Sequence, residues 1–197
     1  MGHFLKAIIG NDEVMADFAK YWIQAKQIKL AQEFSLIKIT DELLDDINEL
    51  VNNKLEDPYK EFCYLSSSLH EILLNKSVNA ALAYIETDYF GGVGTQVAIL
   101  YENGIVKQEP LITEDKWNLE KQEYFQTPDG ARAINSILKK IGVVCQGQSD
   151  EFDSIKLSCR TYAKEKFDWS RVNKLRSNYG EQNDLCRLLP ISVINSD

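Results

Sequence analysis

The spacing of apolar residues along the first third of the chain predicts strands and helices in alternation. An apolar run at residues 4–9 is followed, after a Gly-Asn-Asp turn, by apolar residues three or four positions apart, which predicts a strand and then an amphipathic helix. A second run at residues 34–39 predicts a strand, and the next helix is expected to begin at Thr40, whose hydroxyl suits the N-cap. A third helix is predicted from Asp57-Pro58, because proline is favoured in the first turn.

In the middle of the chain the pattern changes from a helical period to alternation. Residues 80–88 alternate between two faces, and this places Glu86 and Asp88 on the same side of a strand. The β-forming run 96–102 is separated from the run 105–108 by Asn-Gly, which is the strongest short hairpin signal. The three runs together predict a three-stranded antiparallel meander.

The patterns are less regular in the second half of the chain. The polar stretch 114–126 predicts a connection with a short helical piece around Trp117. A helix is expected to open at the Thr-Pro-Asp sequence that begins at residue 127, and Gly142 is placed to end it. Within residues 151–169 some apolar spacings fit a helix and others fit a strand, so both interpretations remain open.

This order of elements predicts one α+β domain over residues 1–169. Its antiparallel sheet is expected to have the three-stranded meander at its centre and the helices packed on one sheet face. Residues 170–197 are mostly polar with weak periodicity, and they are expected to form a C-terminal appendage that is disordered in part. The chain has 197 residues, of which 44% are hydrophobic and 26% charged, and this is sufficient for one sizeable core.

The chain is acidic, with 30 acidic residues against 22 basic ones and a net charge of −8. Such a charge repels nucleic acid phosphates and anionic membranes and favours a basic partner, and the need for solubility explains it too. No apolar run approaches the ~18 residues of a membrane span. The N-terminal sequence lacks the pattern of a signal peptide, so a cytoplasmic protein is expected.

The cysteine and histidine patterns predict no metal site, no cofactor and no catalytic set. The four cysteines are widely spaced without a C-x-x-C pair, and they are expected to be reduced and mostly buried. His3 and His70 are the two histidines, and neither lies in a recognisable motif. The serines at residues 66–68 lack the flanking glycines of a nucleophile elbow.

The segment 84–96 combines two acids, two aromatic residues and a glycine turn at the end of a predicted strand. Its glycines could cradle a phosphate, but a strand follows them instead of a helix, and no Lys-Ser/Thr pair is present. A tight turn between antiparallel strands is favoured, since glycine adopts positive φ at little steric cost. The residues expected to bind a partner are Glu86, Asp88, Tyr89, Phe90, Gly91, Gly92, Gly94 and Gln96.

Glu86 and Asp88 allow several interpretations. Two carboxylates on one strand face could bind a divalent cation or act as an acid and base pair. They could also receive Lys or Arg from a partner, with Tyr89 and Phe90 as apolar anchors. In the remaining interpretation the two acids face solvent at a strand end, and the aromatic residues pack in the core.

Several segments together resemble a widespread group of small, uncharacterised bacterial proteins of the toxin-immunity type. The resemblance is carried by four segments, which are a strand close to the first methionine, the strand and turn at residues 83–96, the Ala-Ile-Asn helix at 133–135, and the Asp-Glu-Phe-Asp-Ser-Ile sequence at 150–155. It spans residues 3–169 and leaves out the tail. Lys-Leu-Ser-Cys-Arg at 156–160 departs from the Gly-Leu-Gly-Arg-like run expected there. The resemblance implies a protein that neutralises a toxin.

The leading hypothesis is a non-enzymatic, acidic, cytoplasmic binding protein of the immunity or antitoxin type. Its partner is expected to be a protein, such as a basic toxin, and neither nucleic acid nor a membrane. One alternative is a small enzyme that uses the carboxylate pair Glu86 and Asp88, with the glycine turn admitting substrate to the backbone. The other alternative is a scaffold subunit of a larger assembly.

Overall fold

The computed structural model describes residues 3–51, 55–90 and 92–157. Seven strands form one antiparallel sheet in the order β2-β3-β1-β4-β5-β6-β7. The strands are β1 His3–Asn11, β2 Gln27–Lys29, β3 Phe34–Lys38, β4 Leu82–Phe90, β5 Val93–Glu102, β6 Ile105–Asn118 and β7 Glu123–Thr127. The helices are α1 Asp12–Tyr21, α2 Asp41–Val51, α3 Ser67–Lys76, α4 Ala133–Lys140 and α5 Glu151–Ser154.

A polar side chain immediately before each of the first three helices caps the helix N-terminus. The side-chain oxygens of Asn11, Thr40 and Ser66 each accept a hydrogen bond from the backbone N–H three residues ahead, at 2.9, 3.2 and 3.2 Å. These bonds satisfy N–H groups that have no partner inside the helix. The predicted cap at Thr40 is therefore confirmed, and α3 begins after Ser66 instead of at Asp57-Pro58. Asp57 still contributes, because its Oδ1 accepts from the Ser67 N–H at 3.2 Å.

The central strands bury side chains on both faces of the sheet. On the front face, Ile8 and Tyr84 pack in one core cluster with α1, α2 and α3. On the back face, Leu5 and Ile85 pack in a second cluster with α4. The predicted α+β class and antiparallel sheet are confirmed, but the helices cover both faces instead of one. The reason is visible in residues 82–85, where four consecutive side chains are buried, as expected for a strand covered on both sides.

The predicted meander is confirmed as β4, β5 and β6; β5 and β6 are longer than the pattern suggested, and β4 lies two residues further along the chain. Asn103 and Gly104 connect β5 to β6 with φ of 56° and 74°, the positive values that a two-residue hairpin requires. The prediction of a helical piece around Trp117 is wrong. Trp117 lies in β6 opposite Tyr124 of β7, so the polar stretch forms a further hairpin that was not predicted.

The remaining differences concern the second half of the chain and the cysteines. The helix predicted from residue 127 begins at Ala133. The ambiguous segment forms the short helix α5, after which Ile155 and Leu157 are buried on the back face. The rest of that segment and the predicted appendage 170–197 lie outside the described residues. The expectation of mostly buried thiols is wrong for Cys63 and Cys145, which are free and exposed.

In the described ranges, no helix is both long and apolar enough to cross a membrane.

Candidate functional site

The predicted binding residues lie at one end of β4 and β5, but they divide between the two faces of the sheet. The register places Glu86, Asp88 and Phe90 on the front face, together with Tyr84. Tyr89 points to the back face, where it lies opposite Gly94, and Gln96 lies on the same side. Gly91 lies outside the described residues. The predicted cluster is therefore two separate surfaces.

Glu86 has a structural role on the front face. Its Oε2 accepts a hydrogen bond from the Cys63 N–H, and its Oε1 accepts from the Tyr64 N–H and the Tyr84 hydroxyl, each at 2.8 Å. Burial, followed by the Glu86 carboxylate, raises the pKa of Tyr84 above its ordinary range, so the phenol stays a donor. Because both carboxylate oxygens are engaged, Glu86 anchors the loop before α3 to β4.

Lys6 continues this anchor on the neighbouring strand. It lies opposite Glu86 in the register of β1 and β4, and its side chain is almost fully buried. Its Nζ lies 2.5 Å from Asp41 Oδ1 and 3.5 Å from the centroid of the Tyr64 ring. The ammonium thus joins the start of α2, the loop and the sheet through an ion pair and a cation–π contact.

Beyond this anchor the front face is exposed. Phe4 lies opposite Asp88 in the register, and its ring meets the Tyr64 ring edge-on at 6.0 Å between centroids. Asp88 is exposed, and Phe90 has 79% of its surface accessible. Among the predicted residues, Asp88 and Phe90 are accessible to a macromolecular partner on this face.

The β6–β7 hairpin adds apolar residues to the same end of the sheet, because Asp115 near the end of β6 lies opposite Gly94 near the start of β5. The Trp117 and Tyr124 rings meet at 4.6 Å between centroids, and Leu119 in the turn has 83% of its surface accessible. We call the exposed set the apolar end: Phe4, Phe90, Trp117, Leu119, Tyr124 and Phe125. Of these six, only Phe90 was predicted, although a tryptophan and a Tyr-Phe pair in a polar stretch are the available signal for three of the others.

Two of the glycines allow close packing at this end. A Cβ on Gly94 would lie 2.2 Å from the Asp88 carbonyl oxygen and 2.7 Å from Tyr89 Cγ, so the Tyr89 ring lies against the glycine. Gly92 has φ of +90°, and a Cβ there would lie 2.9 Å from the Tyr124 ring. The predicted tight turn between antiparallel strands is confirmed, with glycine needed for space as well as for φ.

On the back face, polar side chains of the sheet hold the start of α4. Thr113 Oγ1 accepts a hydrogen bond from the Ala133 N–H at 2.7 Å, and Gln96 Oε1 accepts from the Ile134 N–H at 3.4 Å. Both N–H groups belong to the first turn, which lacks partners inside the helix. Gln96 is buried, so its observed role is to position α4.

An ion pair and an aromatic ring lie beside this contact. Arg132 Nη2 is 2.7 Å from Asp115 Oδ2, and the guanidinium lies 5.7 Å from the Tyr89 ring centroid. Burial raises the pKa of Tyr89 to about 12, the nearby Asp115 carboxylate adds to the rise, and the Arg132 guanidinium opposes it. Tyr89 is half-buried and neutral in this environment, instead of an exposed anchor beside Phe90.

These positions limit the chemistry of the predicted carboxylate pair. Glu86 is held by three donors and Asp88 is exposed to solvent, so the two carboxylates share no enclosed site. Within the part of the chain that the structure describes, no group of three or more His, Cys, Asp or Glu side chains is arranged to hold a metal ion.

No protein-family model, no curated protein and no solved structure matches this chain.

Proposed function

We propose that the protein is a non-enzymatic binding protein of the toxin-immunity type, which captures a basic protein partner on the apolar end of its sheet. The observation that carries the proposal is the exposure of six large apolar side chains at one end of a fold whose other apolar residues largely fill two buried clusters. A concentration of large exposed apolar side chains at one end of a fold is typical of interaction sites.

The composition of the apolar end supports a protein partner. Five of its six members are aromatic, and Trp and Tyr are among the residues that most often dominate the binding energy of interfaces. Trp117 and Tyr124 are already held against each other, so binding would cost them little side-chain entropy. Phe90 and Leu119 are the most exposed, so burial against a partner removes the most apolar surface from water at these two residues.

Charge supports a basic partner. The accessible charged side chains near the apolar end include the carboxylates of Asp88, Glu114, Glu120 and Glu123. The ammonium groups of Lys116 and Lys121 pair with Glu114 and Glu123, which leaves Asp88 and Glu120 to give this end a negative charge. The whole chain has a net charge of −8. An acidic surface accelerates the encounter with a basic partner, and this acceleration weakens as salt increases.

The enzyme alternative receives no support from the predicted carboxylate pair. General acid and base catalysis needs a carboxyl group that can reach the reacting atoms. The Glu86 oxygens instead accept hydrogen bonds from two backbone N–H groups and a buried phenol.

The test begins with the products of the genes that neighbour this one, because an immunity protein is commonly encoded beside its toxin. Each product is purified, and its affinity for the full chain is measured by calorimetry at low and high salt. We expect one basic product to bind. Substituting Phe90→Ser together with Leu119→Ser should weaken that binding at least tenfold without changing the fold, and Asp88→Lys should slow association.

The control is Val78→Ser with Ile105→Ser, which removes two exposed apolar side chains from the opposite end of the sheet. This control should bind as tightly as the wild type. The proposal is overturned if no neighbouring product binds, or if the Phe90 and Leu119 variant retains full affinity. Protection of cells that express the partner should fall in parallel with affinity.

A further inference from the structure

A cavity of about 190 Å³ opens on the back face, at the same end of the sheet but on the opposite side from Phe90. Its floor is formed by Thr87, Tyr89 and Gln96 of the two central strands. Thr87 and Gln96 are buried and, together with Thr113 and Asp115, make this end of the back face polar, whereas the rest of that face is filled with apolar side chains. The cavity is smaller than the roughly 300–1,000 Å³ sites of drug-sized ligands, so any ligand has few atoms.

The hydroxyl of Tyr89 is the first indication of a ligand. It is buried and has the Asp115 and Gln96 side chains as polar neighbours, but in the part of the chain that the structure describes neither is in hydrogen-bond geometry with it. A buried hydroxyl without a partner destabilises a fold, and such groups in native proteins usually meet a water molecule or a ligand. Because Tyr89 lines the cavity, an occupant of the cavity can satisfy it.

The walls carry one positive and one negative group with unused hydrogen-bonding capacity. Arg132 pairs with Asp115 through Nη2, which leaves other N–H donors of its guanidinium. Asp150 accepts from the Asp153 N–H at 2.9 Å and from Asn135 Nδ2 at 3.1 Å. A carboxylate has about four acceptor positions, so further donors can bind it.

The wall of the cavity contains the charged groups of Arg132 and Asp150 and the aromatic ring of Phe152. The Asp150 carboxylate would repel a purely anionic ligand, and the Arg132 guanidinium would repel a purely cationic one. A molecule that carries both charges can pair with each. A phosphate-bearing ligand is disfavoured, because the first N–H groups of α4 are already bound by Thr113 and Gln96.

We propose that this cavity binds a small zwitterion of the free α-amino acid class. The ligand carboxylate pairs with Arg132 and accepts a hydrogen bond from the Tyr89 hydroxyl, the ammonium pairs with Asp150, and the side chain packs on Phe152. This site is independent of the partner-binding function proposed above, because none of the six residues of the apolar end lines the cavity.

The first experiment titrates the full chain with free amino acids of increasing side-chain size, using calorimetry and thermal unfolding. For each amino acid, the N-acetyl derivative removes the ammonium, and the carboxamide removes the carboxylate. We expect one or more small amino acids to bind and to raise the unfolding temperature, and both blocked derivatives to bind at least tenfold more weakly. The absence of any response, as expected of a cavity filled only with water, overturns the proposal, and so does equal binding of the blocked forms.

The second experiment uses Tyr89→Phe, which removes only the hydroxyl. Since no described protein group is in hydrogen-bond geometry with this hydroxyl, the unfolding temperature without ligand should stay the same or rise. The affinity for the amino acid should fall roughly tenfold, the effect of one lost hydrogen bond. Unchanged affinity contradicts the proposed role of Tyr89, and so does a fall in stability without ligand, because the hydroxyl then serves the fold.

Asp150→Asn supplies the third measurement. Asparagine preserves the N-cap of α5 and the size of the side chain, but it removes the charge that pairs with the ammonium. The affinity for the amino acid should fall at least tenfold, while that for its N-acetyl derivative should not fall. Asp129→Asn, an exposed acid outside the cavity lining, is the matched control and should bind as the wild type does.

Discussion

The Tyr89 ring lies directly against Gly94 of the neighbouring strand, so that no side chain at residue 94 can be accommodated. A Cβ there would approach the Asp88 carbonyl oxygen to 2.2 Å, and that oxygen belongs to the backbone of β4. The absence of a side chain at residue 94 therefore allows the Tyr89 ring to lie over the back face.

Gly94→Ala is expected to reduce the unfolding free energy by about 2 kcal/mol, because the added methyl group must displace backbone as well as the ring. Urea unfolding followed by circular dichroism measures the loss. Gly130→Ala is the control, since it adds a methyl group in open space at φ of +115° and tests strain alone. That variant should lose about 1–3 kcal/mol, which is the cost of backbone strain without a steric clash. A Gly94→Ala protein as stable as the wild type would show that the strands can separate at this point.

Glu86 and Asp88 should differ sharply in their effect on stability, although they lie two positions apart on one strand face. Glu86→Gln removes the negative charge and one of the two acceptor oxygens that three donors share. The free energy of unfolding is therefore expected to fall by about 1–3 kcal/mol. Asp88→Asn changes an exposed side chain and should stay within about 0.5 kcal/mol of the wild type. Equal losses from the two substitutions in urea unfolding would contradict the anchoring role of Glu86.

The contrast between these two acids shows what the sequence could predict. Alternation over residues 80–88 correctly placed both on one face, because a strand has a period of two. Two of the three donors to Glu86 could not be predicted, since they are the N–H groups of Cys63 and Tyr64, which lie 23 and 22 residues away in an irregular loop. The same alternation places Tyr89 and Phe90 on opposite faces of the sheet. The prediction nevertheless assigned both to one surface, because they are adjacent in the sequence.

The β6–β7 hairpin was missed for a different reason. Strand prediction depends on an apolar face that alternates with a polar one, and this signal arises from burial of one face. Around Trp117 and Tyr124 both faces of the hairpin are largely exposed, so charged residues occupy either side. The surface that we propose for partner binding therefore gives no periodic apolar signal in the sequence, because it is not buried in the free protein.

Acidification should destabilise the protein through His70. Its Nδ1 lies 2.9 Å from the Tyr101 hydroxyl, and burial lowers its pKa below the ordinary 6.5, while the Glu109 carboxylate opposes the shift. Below pH 6.5 the unfolded chain binds a proton more readily than the folded protein does, so stability falls as pH decreases towards the lowered pKa. Urea midpoints measured across this window should decrease steadily.

His70→Phe should remove this part of the pH dependence, since no proton can then bind at residue 70. Replacing the other histidine by His3→Gln keeps His70 and should keep the slope. A slope that survives in the His70 variant would assign the pH dependence to carboxylates instead.

The Arg132–Asp115 ion pair offers a test of how the back face is held together. Asp115 is buried, while Arg132 remains 42% exposed at its side chain, so loss of the guanidinium leaves a desolvated carboxylate without its partner. Arg132→Gln is therefore expected to cost about 2 kcal/mol, less than for a fully buried pair because solvent still reaches the site. Adding Asp115→Asn removes the unpaired charge and should restore part of the loss. A double variant that loses the sum of the two single effects would show that the two residues stabilise the fold independently.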